Sequence, residues 1–459
     1  MTSTPPAPPT APDRPLAEYP PPPAAAPAPA PAVGREYDPV GRHKAPTSLA
    51  DVGVPAGLLE DMLLRRLLID TRSSTMAMAD DLALSFSVVH RLTEELRDKQ
   101  YLEILGLQGH EYRFTLTDAG RAFAQERARI SLYAGPAPVS VADYREVVEG
   151  QRRAPRIDRS TTRAAFADLV LGDPVIRRIG GALLNEGAIF LYGPPGTGKT
   201  SLAERMNRLL AEPILVPHAV EADGNVILVF DPAVHRPVPR QPEGLDPRWV
   251  LCERPLLLVG GELTLAMLDL SYEDVSGTYS APLQMMANNG ILVIDDFGRQ
   301  LISPEEILNR WIVPLSRDVD FLKLNTGSTF EVPFAAKLVI SSNFNPNDLG
   351  DDAFLRRLRN KIYVGGCSPE QFDRILESTA AYHGVQLDPR AFAHLQHLAM
   401  EQIGELRPYL ANDFCDLLRG ICAFDERPLL LDPDTIDLVA EVYFVDDSGW
   451  SQHERFSQG

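Results

Sequence analysis

Cysteine is scarce in this chain: Cys252, Cys367, Cys415 and Cys422 are the only four in 459 residues. They are scattered, and none forms C-x-x-C. Cys415 and Cys422 fall on opposite flanks of one predicted helix. The pattern suggests neither a disulfide framework nor a zinc site, and a reducing cytosol fits it best. Long apolar runs are also missing. No stretch approaches the roughly 18–20 apolar residues that span a bilayer, and the first residues lack the basic and apolar regions of a signal peptide. The expectation is a soluble, cytoplasmic protein with no membrane insertion. Positive charge is in deficit, since 44 Lys and Arg against 63 Asp and Glu leave a formal net charge of −19. That balance argues against a protein that coats nucleic acid or an acidic membrane, while leaving room for a local basic patch.

Proline, by contrast, is plentiful, with 40 residues. Residues 1–45 are mostly Pro and Ala, as in Pro20-Pro-Pro-Pro-Ala-Ala-Ala-Pro-Ala-Pro. Such a segment cannot bury a core and is expected to be a disordered, solvated tail leaning to polyproline II. A spacer is the favoured role, with docking of a proline-reading partner as the alternative. Residues 46–133 then read as a small α+β domain. Leu58 to Leu68 has helical apolar periodicity, and Met76 to Leu84 is a second, shorter helix. Ser85 and Ser87 can cap a third, with Val88, Val89, Leu92 and Leu96 facing inward. Tyr101 to Leu105 and Tyr112 to Leu116 alternate like a hairpin, and Thr117-Asp-Ala-Gly-Arg starts a closing helix. This succession resembles a winged-helix domain, whose third helix would read DNA. Here that helix carries Arg91, Arg97 and Lys99 but also Glu94, Glu95 and Asp98. Duplex binding needs a clear excess of bases facing phosphates, so protein docking is favoured and nucleic acid is not. Residues 134–165, with Arg152, Arg153, Arg156 and Arg159, read as a linker.

From residue 166 strands and helices alternate, the mark of an α/β sheet. An apolar strand from Ala188 runs into Gly193-Pro194-Pro195-Gly196-Thr197-Gly198-Lys199-Thr200-Ser201, and a helix follows. Phosphate binding needs that order. The glycines let backbone N–H groups turn toward an oxyanion, the helix N-terminus adds partial positive charge, Lys199 reaches the β/γ-phosphates and Thr200 can ligate Mg²⁺. Gly290-Ile-Leu-Val-Ile-Asp295-Asp296 is a buried strand ending in two carboxylates. Asp295 suits a Mg²⁺ shell, and Asp296 stands where a base or water-orienting group belongs. Lys337 to Ser342 delivers Asn343 at its carboxyl end, where ligands bind in such sheets. Asn343 could hydrogen-bond a γ-phosphate or the attacking water, or belong simply to a turn. A helix with Arg356 and Arg357 follows. Four helices close the chain: Pro369 to His383, Pro389 to Met400, Pro408 to Phe424 and Pro433 to Tyr443. Gly404-Glu-Leu-Arg407-Pro408 opens the third.

This ordered set resembles the AAA+ ATPases over residues 166 to 445. The resemblance implies a P-loop NTPase parallel sheet over 166–366 and a helical lid over 367–459, with ATP and Mg²⁺ as cofactors. It implies that Lys199 and Thr200 belong to Walker A, Asp295 and Asp296 to Walker B, and Asn343 to sensor 1. Arg357, or Arg356, would be an arginine finger acting on a neighbour's nucleotide, and Arg407 sensor 2. Phe166-Ala-Asp-Leu-Val170-Leu171 resembles the segment that cups adenine. An arginine given in trans implies a ring of identical subunits, expected to be a hexamer. Within the superfamily, the strand entry Leu283 to Asp295 and the β-rich stretch 328–340 are similar to the MoxR-like and enhancer-activator branches. The activators' G-A-F-T-G-A motif is absent, and Gly277-Thr-Tyr-Ser-Ala281 is a loose echo of it.

Two departures matter. The second Walker B residue is usually Glu and here is Asp296, one methylene shorter. Catalysis depends on carboxylate–water geometry to about an ångström, so slow hydrolysis is expected. Residues 213–262, holding Ile214-Leu-Val, Asn225 to Phe230 and Leu256-Leu-Leu-Val, read as an inserted β-structure, either a substrate or partner surface or an inert decoration. The favoured function is an ATP-driven ring that remodels an unidentified protein client. The alternatives are a nucleotide switch that hydrolyses little and a DNA-linked regulator or motor.

Overall fold

The computed structural model describes residues 43–108, 111–152, 157–348, 356 and 358–444. The Pro/Ala-rich tail up to residue 42, Arg153, Arg156, residues 351–355 and Arg357 lie outside the described residues.

Three helices, Ala56–Asp70, Thr75–Leu82 and Phe86–Asp98, precede a hairpin of Leu102–Gln108 and Glu111–Leu116. A short strand, Ser73–Ser74, joins the hairpin as its third member. The closing helix, Asp118–Ala128, is capped by Thr117, whose hydroxyl accepts from Gly120 N–H. Gly120 itself is dictated by packing, because a β-carbon there would overlap the Tyr101 carbonyl. Val88, Val89, Leu92 and Leu96 point into the core as their spacing requires. Ser85 does stand at the N-cap of the third helix, but neither it nor Ser87 caps with its side chain. Both hydroxyls instead donate to the incoming chain, at Pro46 O and Thr47 O.

Part of the stretch that reads as a linker is built into the fold. Val139–Ser140 pairs in parallel with Ala219–Ala222, and Ser140 caps the helix Val141–Gly150. That helix buries Tyr144, Val147 and Val148. The side-chain amide of the buried Gln151 bonds both the N–H and the carbonyl of Leu215, as a strand neighbour would. Arg152 pairs with Asp318 (2.9 Å) and Arg159 with Asp173 (2.6 Å). Polar composition hides these contacts, because a two-residue strand is too short to show periodicity.

The central sheet has five parallel strands, in the order Leu256–Val259, Ile291–Ile294, Lys337–Ser342, Ile189–Tyr192, Asn360–Tyr363. Alternation along the strands sends Ile189, Leu191, Ile291, Val293 and Val339 to one face, against Ile176, Ile179, Leu202 and Met206. Phe190, Leu292, Ile294, Leu338 and Ile340 face the other way, against Ile307, Leu308 and Trp311. A parallel sheet covered on both faces explains the near-continuous apolar strands. Leu256–Val259 reads from sequence as part of the insertion, yet it is an edge strand of this sheet. The rest of the insertion does form β-structure. Ala219–Ala222 and Asn225–Leu228 lie in a second five-stranded sheet with Val139–Ser140, Ser271–Glu273 and Thr278–Ser280. Ile214–Pro217 and Trp249–Cys252 pair beside it and share its core. The loose echo around Gly277 is thus a strand of this second sheet.

The C-terminal part is helical, with Pro369–His383, Pro389–Gln402, Tyr409–Phe424 and Pro433–Tyr443 around a core of their own. Ser368, Asp388 and Asp432 cap three of the four. A parallel P-loop sheet with a helical C-terminal part is the architecture that the AAA+ resemblance implies. Among the described residues no helix is long and apolar enough to cross a membrane.

Candidate nucleotide site

The strand Ile189–Tyr192 is buried, so the chain must turn sharply where it leaves the sheet. Glycine provides the turn: Gly193, Gly196 and Gly198 have φ of 148°, 76° and 89°. Side chains are strained in that region. Gly193 is needed a second time, because a β-carbon would overlap the Val364 carbonyl. Gly198 then stands at the N-cap of Lys199–Met206, leaving the first N–H groups of that helix unpaired by a side chain. Thr197 Oγ1 donates to Pro194 O (3.0 Å) and steadies the loop.

Lys199 is 6% exposed. Its Nζ donates to Gly193 O (3.0 Å), Pro194 O (2.8 Å) and Asn343 Oδ1 (2.8 Å). Burial lowers its pKa, while Asp295 and Asp296 pull the other way. Thr200 Oγ1 donates to Asp295 Oδ2 (2.6 Å). Asn343 bridges the two halves of the site, since its Nδ2 donates to Asp296 Oδ1 (3.0 Å). Asp296 N–H in turn donates to Asp295 Oδ1 (3.0 Å). Ammonium, hydroxyl, amide and two carboxylates therefore form one connected set at the carboxyl ends of three adjacent strands.

Asp296 has φ of 47°. Asp and Asn tolerate this left-handed conformation far better than longer side chains do. The backbone turn after the strand thus favours Asp over the Glu that the resemblance leads one to expect.

A threonine hydroxyl facing a carboxylate is a hard-oxygen donor pair and suits Mg²⁺. Among the described residues no group of three or more His, Cys, Asp or Glu could hold a metal alone. Phosphate oxygens would have to complete the shell, as is usual for Mg²⁺ at nucleotide sites.

Arg407 also reaches the loop. Its Nε donates to Glu405 Oε1 (2.8 Å), and Nη1 lies 3.5 Å from Pro195 O. Val170 and Leu171 are half-buried just ahead of the helix Asp173–Leu184. The next residue, Gly172, lies beside Gln371 of the first C-terminal helix. Ser201 sits in the first turn of the helix after the loop. Arg356 is exposed, in a turn. Sequence reasoning missed three contributors. Gln300 donates to the Asp295 carbonyl (2.9 Å), Glu405 holds Arg407, and Tyr409 lies against Gly196. Only the position of Tyr409, two residues after Arg407, could have drawn attention to it.

Residues 368–442, in the helical part, match a family described as Domain of unknown function (DUF8689). None of the curated proteins matches the chain. Among solved structures it is similar to the Thermotoga maritima RuvB Holliday junction branch migration motor, at 14% identity and TM-score 0.34 over 65% of this chain and 75% of that one. A point mutant of that protein aligns at 14% and TM-score 0.35, over 64% and 73%. The FIGL-1 AAA domain aligns at 15% and TM-score 0.33, over 64% of this chain and 85% of its own. With TM-scores below 0.5, these likenesses lend no weight to any residue's role.

Proposed function

We propose that the chain is a Mg²⁺-dependent ATPase of AAA+ type that works as a ring and remodels a protein partner. The observation that carries the reading is the connected set Lys199–Asn343–Asp296 and Thr200–Asp295. A glycine-rich turn of no chemical use would not gather an ammonium, a hydroxyl and two carboxylates from three strands. Gly193 to Thr200 would cradle the phosphates through backbone N–H groups, and Lys199 would meet the β/γ-oxygens. Mg²⁺, held by Thr200 and Asp295, would neutralise charge on the phosphates. Asn343 orients the carboxylate of Asp296 toward a water. Asp296 takes a proton as that water's oxygen bonds the γ-phosphorus and the bond to the β-bridging oxygen breaks, giving ADP and phosphate. Arg407, and Arg357 or Arg356 from a neighbouring subunit, would stabilise charge that develops in the transition state.

The N-terminal α+β part is then an adaptor of winged-helix type. Its third helix supports protein docking over DNA binding, because two of its three bases are already neutralised. Arg91 pairs with Glu95 (2.9 Å) and Lys99 with Glu60 (2.6 Å). The test is ATP turnover as a function of protein concentration, with and without duplex DNA. Turnover per subunit should rise with concentration as rings assemble and should be indifferent to DNA. Absence of nucleotide binding would overturn the reading. Binding with negligible turnover at every concentration would replace it with a switch, and DNA stimulation would restore the motor.

A further inference from the structure

The helical part touches the phosphate loop at a residue with no role so far. A β-carbon added to Gly196 would overlap the ring of Tyr409, at Cδ1, Cε1 and Cγ. The ring therefore lies directly on the side of the loop where a side chain would stand. Tyr409 is the first residue of the helix Tyr409–Phe424, and Pro408 is its N-cap. Tyr409 is partly buried against the core of the helical part. Two residues earlier, Arg407 extends Nη1 toward Pro195 O, the neighbouring loop carbonyl, while Glu405 fixes its Nε. Arg407 and Tyr409 thus straddle a rigid proline and meet adjacent residues of the loop.

We propose that Tyr409 is a positioning residue for Arg407, with its ring seating the start of the helical part on Gly196 so that the guanidinium is held over the phosphates. This rests on the ATPase reading above. The physical argument is one of placement. A guanidinium that stabilises developing charge must be held to within about an ångström, and looser placement costs up to roughly a hundredfold in rate. The Arg407 stem alone has four freely rotating bonds. Glu405 restrains one nitrogen, and the Tyr409–Gly196 contact restrains the backbone that carries the stem. The contact is made by ring carbons, so phenylalanine should serve while smaller or non-planar side chains should not.

The experiment measures ATP turnover and ATP affinity in the full chain, for the wild type and for Tyr409→Ala, Tyr409→Leu and Tyr409→Phe, alone and combined with Arg407→Ala. Thermal unfolding is the control for folding, and Tyr409→Leu stands in if the alanine variant is unstable. The expected result is that Tyr409→Ala and Tyr409→Leu lower kcat roughly tenfold or more and change KM less than threefold, and that Tyr409→Phe recovers most of the rate. In the Arg407→Ala background the same changes should add almost nothing, because their effect runs through Arg407. Wild-type turnover in Tyr409→Ala and Tyr409→Leu, or losses that add fully to that of Arg407→Ala, overturns the role of Tyr409 and leaves the ATPase reading intact. A wild type that binds no ATP overturns both.

Discussion

A lysine that is 6% exposed among carbonyls and an amide is held for a purpose, since burial alone disfavours its charge. Lys199→Ala removes the ammonium and keeps a good helix former at the first helical position. A charged hydrogen bond is worth about 1.5–3 kcal/mol, so ATP affinity should fall by roughly ten- to a hundredfold while the unfolding midpoint moves by only a few degrees. Titration with a fluorescent ATP analogue checks this, and wild-type affinity in the folded variant would remove the phosphate-cradle assignment. Asp296 offers a cleaner substitution. Because Asn accepts the left-handed φ of 47° as readily as Asp, Asp296→Asn should leave backbone and ATP binding unchanged. It cannot take a proton from water, so turnover should drop to the background of the Lys199→Ala variant. Unchanged turnover would mean that Asp296 is not the proton acceptor.

At the scale of elements, the inserted β-structure carries a titration of its own. His218 and His235 flank Phe230, with ring centroids 5.4 and 5.6 Å away. His235 is 1% exposed. Asp231 N–H donates to its Nδ1 (3.0 Å), so Nε2 carries the proton and donates to Met286 O (2.9 Å). Burial holds both imidazoles below their ordinary pKa, and in His235 the contacts with Met286 and Asp231 oppose it. A histidine whose pKa falls on folding binds its proton more readily in the unfolded chain. Its contribution to stability is therefore complete above the unfolded value of about 6.5 and is lost as pH falls through it toward the lower folded value. The loss cannot exceed about 1.4 kcal/mol per pH unit for each histidine. Urea midpoints between pH 8 and pH 5.5 should fall less steeply in His235→Gln, which keeps both a donor and an acceptor. Equal slopes would place the titration elsewhere.

This inserted sheet also marks where the sequence stopped being readable. The phosphate loop, both carboxylates and Asn343 were legible because each follows a buried apolar strand at its carboxyl end. The four C-terminal helices were legible from capping residues and periodicity. Leu256 to Val259 was not assigned correctly, because a four-residue apolar run carries no information about which sheet it joins. Nor were Val139 and Ser140, whose pairing with the strand at Ala219 is a long-range contact. Tyr409 and Gln300 escaped for the same reason, as each acts through a tertiary contact that no local pattern encodes.

For the whole molecule the decisive question is whether one chain completes its own site. Arg407 comes from the same chain as the loop it approaches, whereas Arg356 is exposed in a turn. We propose that one arginine of this pair serves a phosphate on another copy, the role that the AAA+ resemblance implies for Arg357 or, failing that, Arg356. Such a residue acts on charge that develops in the transition state, not on ATP in the ground state. Arg357→Ala, or failing that Arg356→Ala, should therefore lower turnover at least tenfold while ATP affinity stays within about threefold. Mixing gives the sharper measurement. Lys199→Ala subunits keep the arginine and lose the loop, and arginine-variant subunits do the reverse. Each is inactive alone, but in a head-to-tail ring mixed at equal amounts, roughly a quarter of the interfaces join a sound loop to a sound arginine. Turnover should reappear on mixing, peak near equal proportions and vanish at either extreme. If mixed rings form, as judged by pull-down of one tagged variant with the other, and no mixture is active, the arginine does not act across the interface.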